Sequence, residues 1–416
     1  MDGRQRLIDD AQEMLRRLEA KTITPAPGQM RLPSSAYVDP DLFELEKRNL
    51  FRRVPLMLAA SCELRAAGDY KTMEIAGIPL LLVRGKDGQV RTFLNACTHR
   101  GSKLARDCGR STRFTCPYHA WSFGLDGGLI GVAAREVFGD VDAEASHLVT
   151  FPTTERAGLV WAILDPAAPP AFDVFLAGFD TLLQGFSFEK WHYFESRHLK
   201  GANWKLAFDA HLDFYHLPVL HRETFGAKIS NLAEYFYYGP HQRLGLVTQA
   251  DHVLEQDDLP SLAGRPQEEW PLDTLLFGEW IIFPNVSINC FYKGGRGVII
   301  SQILPGAAVG ESVTVQIFLH EQPPEGQQIA DAREMSDFLG HVVGEEDLPM
   351  SLAQQQVFAS GLLPEVQFGR NEGGIQHFHH WLERFVDAPA GAPLEGIMAG
   401  GRAGKVVGPA GFEPAT

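Results

Sequence analysis

"CTHRGSKLARDCGRSTRFTCPYH", residues 97–119, holds three of the chain's five cysteines and two of its fifteen histidines, so it is where a metal-binding reading starts. Cys97-x-His99 and Cys116-x-x-His119 form two short pairs, separated by residues 100–115, and each follows a β-rich segment (QVRTFLNA and RFT). Each pair therefore falls on a loop, and together they imply one four-ligand site.

Two thiolates with two imidazoles suit tetrahedral zinc or a Rieske [2Fe-2S] cluster, in which two histidines replace two cysteines on one iron. A zinc finger groups Cys with Cys and His with His. Here each loop offers one of each, so each iron can draw one ligand from each loop, which favours the cluster. Cys62, Cys108 and Cys290 lie outside the pattern and are expected to be structural or incidental.

CTHRG together with CPYHAW resembles the Rieske domain of bacterial aromatic-ring-hydroxylating oxygenase α subunits. The Rieske proteins of respiratory complexes carry an additional disulfide across these loops. This chain has Ser102 and Tyr118 at the corresponding positions, so that bridge is not expected.

Outward from this stretch, composition sets the frame. A chain of 416 residues, 45% hydrophobic and 21% charged, can bury a large core, and its length favours two domains over disorder. A formal net charge of −15 argues against non-specific nucleic-acid binding, which needs basic residues to neutralise phosphate. An odd number of cysteines without a secretion signal argues against a disulfide scaffold. There is no apolar run long enough to cross a membrane, and MDGRQRLIDDAQEMLRRLEAK lacks the order of a signal peptide, so the expected location is cytoplasmic. Leu7, Ala11, Leu15 and Leu18 instead recur at helical spacing, as on a packing helix.

Pro-rich joints at 22–33 and 164–172 divide the chain. The expected domains are an N-terminal helix and linker (1–40), an all-β domain (41–165), an α+β domain with an antiparallel sheet (166–387) and a disordered tail rich in Gly, Ala and Pro (388–416). The β segments of the first half include YKTMEIAGIPLLLVRG and AGLVWAIL. The second half places a helix around 203–217 before the strands EWIIFPNVSINCFYKG, GVIISQIL and SVTVQIFLHEQ, and closes with helices over DLPMSLAQQQVFASG and IQHFHHWLERFV.

A Rieske cluster passes single electrons and does not itself activate oxygen, so a second centre is sought in "NWKLAFDAHLDFYHLPVLH", residues 203–221. On a regular helix His216 lies about 60° from Asp213, but His221 lies about 140° from His216, too far round to share a metal. Pro218 should end or bend the helix between the two histidines and let them converge.

This stretch resembles the N-W-K…D/E-x-Y-H-x4-H motif of the same oxygenase family. The resemblance implies His216 and His221 as ligands of a mononuclear non-haem Fe(II). It implies Asp213 as the carboxylate that bridges to a Rieske histidine of a neighbouring subunit, accepting from Nδ1–H of that ring on one side and of His216 on the other. A facial triad also needs a carboxylate, which in the family comes from far downstream. GEEDLPMSLAQQQ at 344–356 supplies Asp347, with Glu345 and Glu346 as competitors.

The resemblance further implies a helix-grip, START-like catalytic domain with a curved antiparallel sheet, and a homotrimer with or without a separate β subunit. It departs at Asp209-Ala210, where many relatives have Glu-Asn, and at the unusual His211, read as a structural histidine. His377, His379 and His380 are likewise read as structural or pocket-lining. No strand–GxGxxG–helix unit and no plant-type C-x4-C-x2-C run occurs, so NAD(P)H-derived electrons are expected through a separate reductase, with or without a ferredoxin.

The implied activity is hydroxylation or dealkylation, with O2, of an aromatic or similarly apolar compound. Phe208, Phe214, Leu217, Phe225 and Phe283 favour an apolar pocket only weakly. Two rivals stand beside it: an oxygenase acting on a quaternary amine, and an electron carrier with a non-catalytic ligand-binding half.

Overall fold

The computed structural model describes residues 3–225, 231–246 and 259–399. The helix Gly3–Ala20 buries Leu7, Ile8, Ala11 and Met14 in the main core, as its spacing predicts. The first half is mainly β-structure, with short helical stretches at Pro40–Glu46, Lys47–Phe51 and Arg135–Phe138 that an all-β reading of 41–165 leaves out. A five-stranded antiparallel sheet runs in the order Thr150–Phe151, Val90–Leu94, Ile78–Arg84, Asp69–Ile75, Cys108–Arg110. Beside it are two three-stranded sheets, one of Thr153–Arg156, Leu159–Ala162 and Leu56–Ala60, the other of Phe114–Thr115, Ser122–Phe123 and Leu129–Gly131. Leu81, Val83, Phe93, Trp121 and Phe123 form a compact cluster that also encloses Cys97 and Cys116.

The second half is built on a seven-stranded antiparallel sheet, ordered His192–Gly201, Ser312–His320, Gly297–Pro305, Val286–Phe291, Glu279–Ile282, His241–Leu246, Ala233–Tyr238. One rung on the face turned toward the first half is wholly apolar: Trp280, Ile288, Ile300 and Ile317 are register partners in sequence across four strands. On the same face, Gln302 Nε2 donates to the carbonyls of Met57 (2.8 Å) and Leu58 (3.3 Å), tying the two halves together. The other face meets the helices. Phe283 packs against Phe378 and Phe385 of the helix Gly373–Val386, and Arg197 reaches Ser336 in the helix Gln327–His341.

The Asn-Trp-Lys segment is a helix start with an anchor. Asn203 accepts from the Lys205 N–H (2.9 Å), capping the helix Trp204–Asp209. Trp204 Nε1 donates to Glu46 Oε2 (2.8 Å) and Lys205 Nζ pairs with Glu46 Oε1, with all three side chains buried.

Two expectations are corrected. The helix of 203–217 ends at Asp209, and Pro218 begins rather than breaks a helix, since it lies in the first turn of Leu217–Leu220. The Asp213 carboxylate makes the turn by accepting from the N–H groups of Tyr215 (2.7 Å) and His216 (3.2 Å), and a first-turn proline has no N–H to lose. The stretch 388–416 is not uniformly irregular either. Leu394–Ala399 is helical with Leu394 and Ile397 buried in the main core, because those two apolar residues fall on one helical face; residues 400–416 lie outside the described residues.

Candidate electron-transfer and metal centres

The two Cys/His loops close on themselves by backbone bonds. Cys97 N donates to Ser102 O (2.8 Å) and Gly101 N to Cys97 O (2.8 Å); Cys116 N donates to Trp121 O (2.7 Å) and Ala120 N to Cys116 O (3.0 Å). Gly101 sits at φ +77°, a left-handed turn that suits glycine. The loops bring His99 and His119 to a ring separation of 4.8 Å, and Trp121 lies nearly parallel to His99 at 5.0 Å.

The donor set fits an iron–sulfur group. Nδ1 of His99 and Nδ1 of His119 are both enclosed with no hydrogen-bond partner among the described residues, and the cysteines beside them are buried and free. Enclosed ring nitrogens of this kind normally have a partner, and a metal bound at these loops would supply the missing one. Burial works to raise the Cys116 pKa, but the N–H groups of Tyr118 and His119 outweigh it and hold it below the ordinary thiol value. One expectation changes: since Nδ1 is the enclosed nitrogen of both rings, Nε2 is the one left to meet an outside carboxylate. Cys108 lies exposed on a strand, Cys62 is buried and Cys290 half-buried, none of them in this cluster.

The second constellation also assembles. His216, His221 and Asp347 each offer one atom, and these atoms lie within 4.8 Å of one another. Asp347 Oδ1 is 3.1 Å from His221 Nε2 and 3.7 Å from His216 Nε2, and has no hydrogen-bond partner among the described residues. Ligands at about 2.1 Å on adjacent corners of an octahedron lie about 3 Å apart, so the spacing fits a facial triad. His216 Nδ1 is 3.1 Å from Asp213 Oδ1 and His221 Nδ1 is 2.5 Å from Glu346 Oε2, so each ring has a carboxylate at Nδ1 and presents Nε2 to the common point. Burial disfavours protonation of both rings. The neighbouring carboxylates outweigh it, Asp213 and then Asp347 at His216, and Asp347 and Glu346 at His221, so both pKa values are raised. That surplus of negative charge suits a bound cation.

The Asp347 region is a π-helical stretch, Val342–Asp347, a widened turn common at functional sites. It separates the three acids: Glu345 is exposed, Glu346 backs His221 and also accepts from Thr224 Oγ1 (3.0 Å), and Asp347 faces the histidines. The role of Glu346 as a second partner of His221 was not anticipated; a carboxylate next to a ligand candidate is the signal that was available.

His211 Nδ1 lies 3.5 Å from Glu279 Oε1, facing the sheet. Asp209, which replaces the expected pattern, accepts from Tyr37 Oη (2.6 Å) and lies 3.1 Å from His379 Nε2, while His377 Nε2 is 2.9 Å from Gly239 O and His380 is exposed. None of these three histidines joins the centre.

Residues 54–148 match the Rieske [2Fe-2S] domain, and residues 188–388 match the ring hydroxylating alpha subunit (catalytic domain). The glycine betaine monooxygenase oxygenase subunit of Chromohalobacter salexigens is 34% identical over 230 residues, 55% of this chain and 50% of that protein. The chain thus spans about half the length of that curated relative. The 2-aminobenzenesulfonate 2,3-dioxygenase subunit alpha of an Alcaligenes species is 26% identical over 371 residues, 83% of this chain and 89% of that one. The solved quaternary ammonium Rieske monooxygenase CntA, with inhibitor, superposes with a TM-score of 0.72 at 21% identity, over 86% of this chain and 95% of that one, which shows a shared fold. The chain belongs to the Rieske oxygenase α-subunit family, with a Rieske [2Fe-2S] domain followed by a mononuclear-iron catalytic domain. No helix among the described residues is long and apolar enough to cross a membrane.

Proposed function

We propose that this chain is the terminal oxygenase component of a multicomponent system, taking NAD(P)H-derived electrons from a separate reductase, with or without a ferredoxin, and oxygenating a small organic molecule with O2. The observation that carries it is the convergence of His216, His221 and Asp347, in a chain that also carries the Cys97/His99 and Cys116/His119 loops.

Cys97, His99, Cys116 and His119 would hold the [2Fe-2S] cluster, and His216, His221 and Asp347 the ferrous ion; when bound, these groups supply one-electron transfer and oxygen activation. The chain's own contribution is positional. Asp213 orients His216 and Glu346 orients His221, while Trp121 flanks His99. Asp213, with His216 on one side, is the carboxylate proposed to receive Nε2–H of a cluster histidine from a neighbouring subunit in a homotrimer.

For the substrate, an amine is favoured over an apolar hydrocarbon. The relative above that reaches 34% identity is named for glycine betaine, a quaternary amine. Aromatic oxygenation remains the second reading, supported by the 83% coverage of the alignment with the 2-aminobenzenesulfonate 2,3-dioxygenase subunit alpha.

Electron paramagnetic resonance with iron and sulfide analysis on anaerobically purified protein tests the reading. It requires a reduced Rieske signal with about three irons and two sulfides per chain, one iron being lost in His216→Ala or His221→Ala. Two irons, unchanged in those variants, would leave an electron carrier; zinc in place of iron and sulfide would overturn both.

A further inference from the structure

One row on the helix-facing side of the seven-stranded sheet is polar, beside an apolar cluster of Phe291, Ile299 and Phe318 on the same face. Gln316, Ser301 and Ser287 are register partners across three adjacent strands, and all are buried. The neighbouring rung, on the opposite face, is the Trp280–Ile288–Ile300–Ile317 row. Ser287 Oγ donates to Glu279 Oε1 (2.6 Å), and Glu279 is 3% exposed. The Gln316 amide is fully buried, and neither its oxygen nor its nitrogen has a partner among the described residues.

Register and contacts place this band on the side of the metal centre. Gln316 is paired with Arg197, whose side chain reaches Ser336 in the helix Gln327–His341. Glu279 shares its face with Leu244 and, one strand further, Tyr235, which lies against Gly374 and beside the Leu212 carbonyl. Glu279 also meets His211, two residues before Asp213 in the segment that carries His216. Strands are spaced about 4.8 Å apart, so the band from Gln316 to Ser287 spans about 10 Å, the length of a small metabolite.

The buried Glu279 carboxylate is met by the Ser287 hydroxyl and, at 3.5 Å, by the His211 ring, while the buried Gln316 amide has no hydrogen-bond partner among the described residues, which is costly. We infer that this band is the substrate-recognition surface. The Glu279 carboxylate receives an organic ammonium group, and the Gln316 amide receives a polar group on the same molecule. The substrate class is a small polar molecule that carries an ammonium group, rather than a hydrocarbon. This rests on the oxygenase reading above and adds the residues that select the substrate.

The test uses the full-length protein with both iron centres loaded, and isothermal titration with glycine betaine and with L-carnitine, against indole as a neutral aromatic control. Wild type should bind at least one of the two trimethylammonium probes. Glu279→Gln, which keeps shape and removes charge, should weaken that binding about tenfold or more, as expected for losing a charged partner. Gln316→Met should weaken it less, and indole binding should not respond to Glu279→Gln.

Failure of wild type to bind either trimethylammonium probe, or equal binding by wild type and Glu279→Gln, overturns the assignment. Iron content and the Rieske signal are measured on each sample. If both centres are intact, that failure strikes the subsite alone and the oxygenase reading stands. A chain without mononuclear iron would instead sink the oxygenase reading and the subsite with it.

Discussion

Glu346 is the residue whose role is most exposed to refutation, because only its position in space singles it out from Glu345 and Asp347. Its Oε2 is 2.5 Å from His221 Nδ1 and accepts from Thr224 Oγ1 at 3.0 Å. Glu346→Ala removes the acceptor that keeps the proton on Nδ1 and the lone pair on Nε2. A hydrogen bond to a charged group contributes about 1.5–3 kcal/mol, and about 1.4 kcal/mol is a factor of ten. The variant should therefore bind Fe(II) about 10- to 100-fold more weakly, the range found for carboxylates that back metal-ligating histidines. Glu346→Gln, which still offers a carbonyl oxygen, should lose less. The assay is competition for Fe(II) against a calibrated chelator, on protein whose Rieske cluster is intact and whose mononuclear iron has been removed. The cluster signal, read in the same samples, should not change. An Fe(II) affinity within about threefold of wild type would show that packing alone orients His221 and would refute the reasoning.

Three further outcomes are expected. Glu46→Ala strands the buried Lys205 ammonium and leaves Trp204 Nε1 without its acceptor, so it should destabilise the chain by about 3–5 kcal/mol in urea unfolding; a change below about 1 kcal/mol would mean the pair is solvated in solution. His241 is fully enclosed, with Nε2 3.0 Å from Phe175 O and Nδ1 accepting from Phe283 N–H at 3.2 Å; burial pushes its pKa down to about 4. Because the folded value lies below the unfolded value of about 6.5, its contribution is complete above that pH and is lost as pH falls through about 4, so between pH 7.5 and 5 the native state should lose about 2 kcal/mol. The urea midpoint of His241→Gln should lack that share of the pH dependence, and an identical slope in both proteins would count against it. Asp213→Asn should keep both iron centres and lower product formed per NAD(P)H consumed at least tenfold; full coupling would remove Asp213 from the electron path.

The chemistry was legible in the chain because ligand spacing is local. Cys97-x-His99 and Cys116-x-x-His119 need only two tight loops, and the backbone bonds that close those loops lie within each motif. The β-branched and aromatic runs of EWIIFPNVSINCF and SVTVQIFLH likewise report strands directly, since short apolar runs of this kind suit strands buried on both faces. The helix expected over 203–217 stops at Asp209 for the opposite reason. Propensity continues it past Asp209, whereas the Asp213 carboxylate captures two backbone N–H groups and turns the chain, an outcome that depends on which hydrogen bonds win locally.

What sequence by itself determined, then, was the kind of chemistry: which residue types could hold two metal centres and in what order along the chain. Tertiary structure alone decided the assignments between near neighbours. It turned Asp347 to the histidines, Glu346 behind one of them and Glu345 to solvent, because consecutive helical residues point about 100° apart and only packing decides which of them faces the centre. It also brought Glu279, Ser287, Ser301 and Gln316 from four strands onto one face, a juxtaposition set by register between strands and invisible in any one of them.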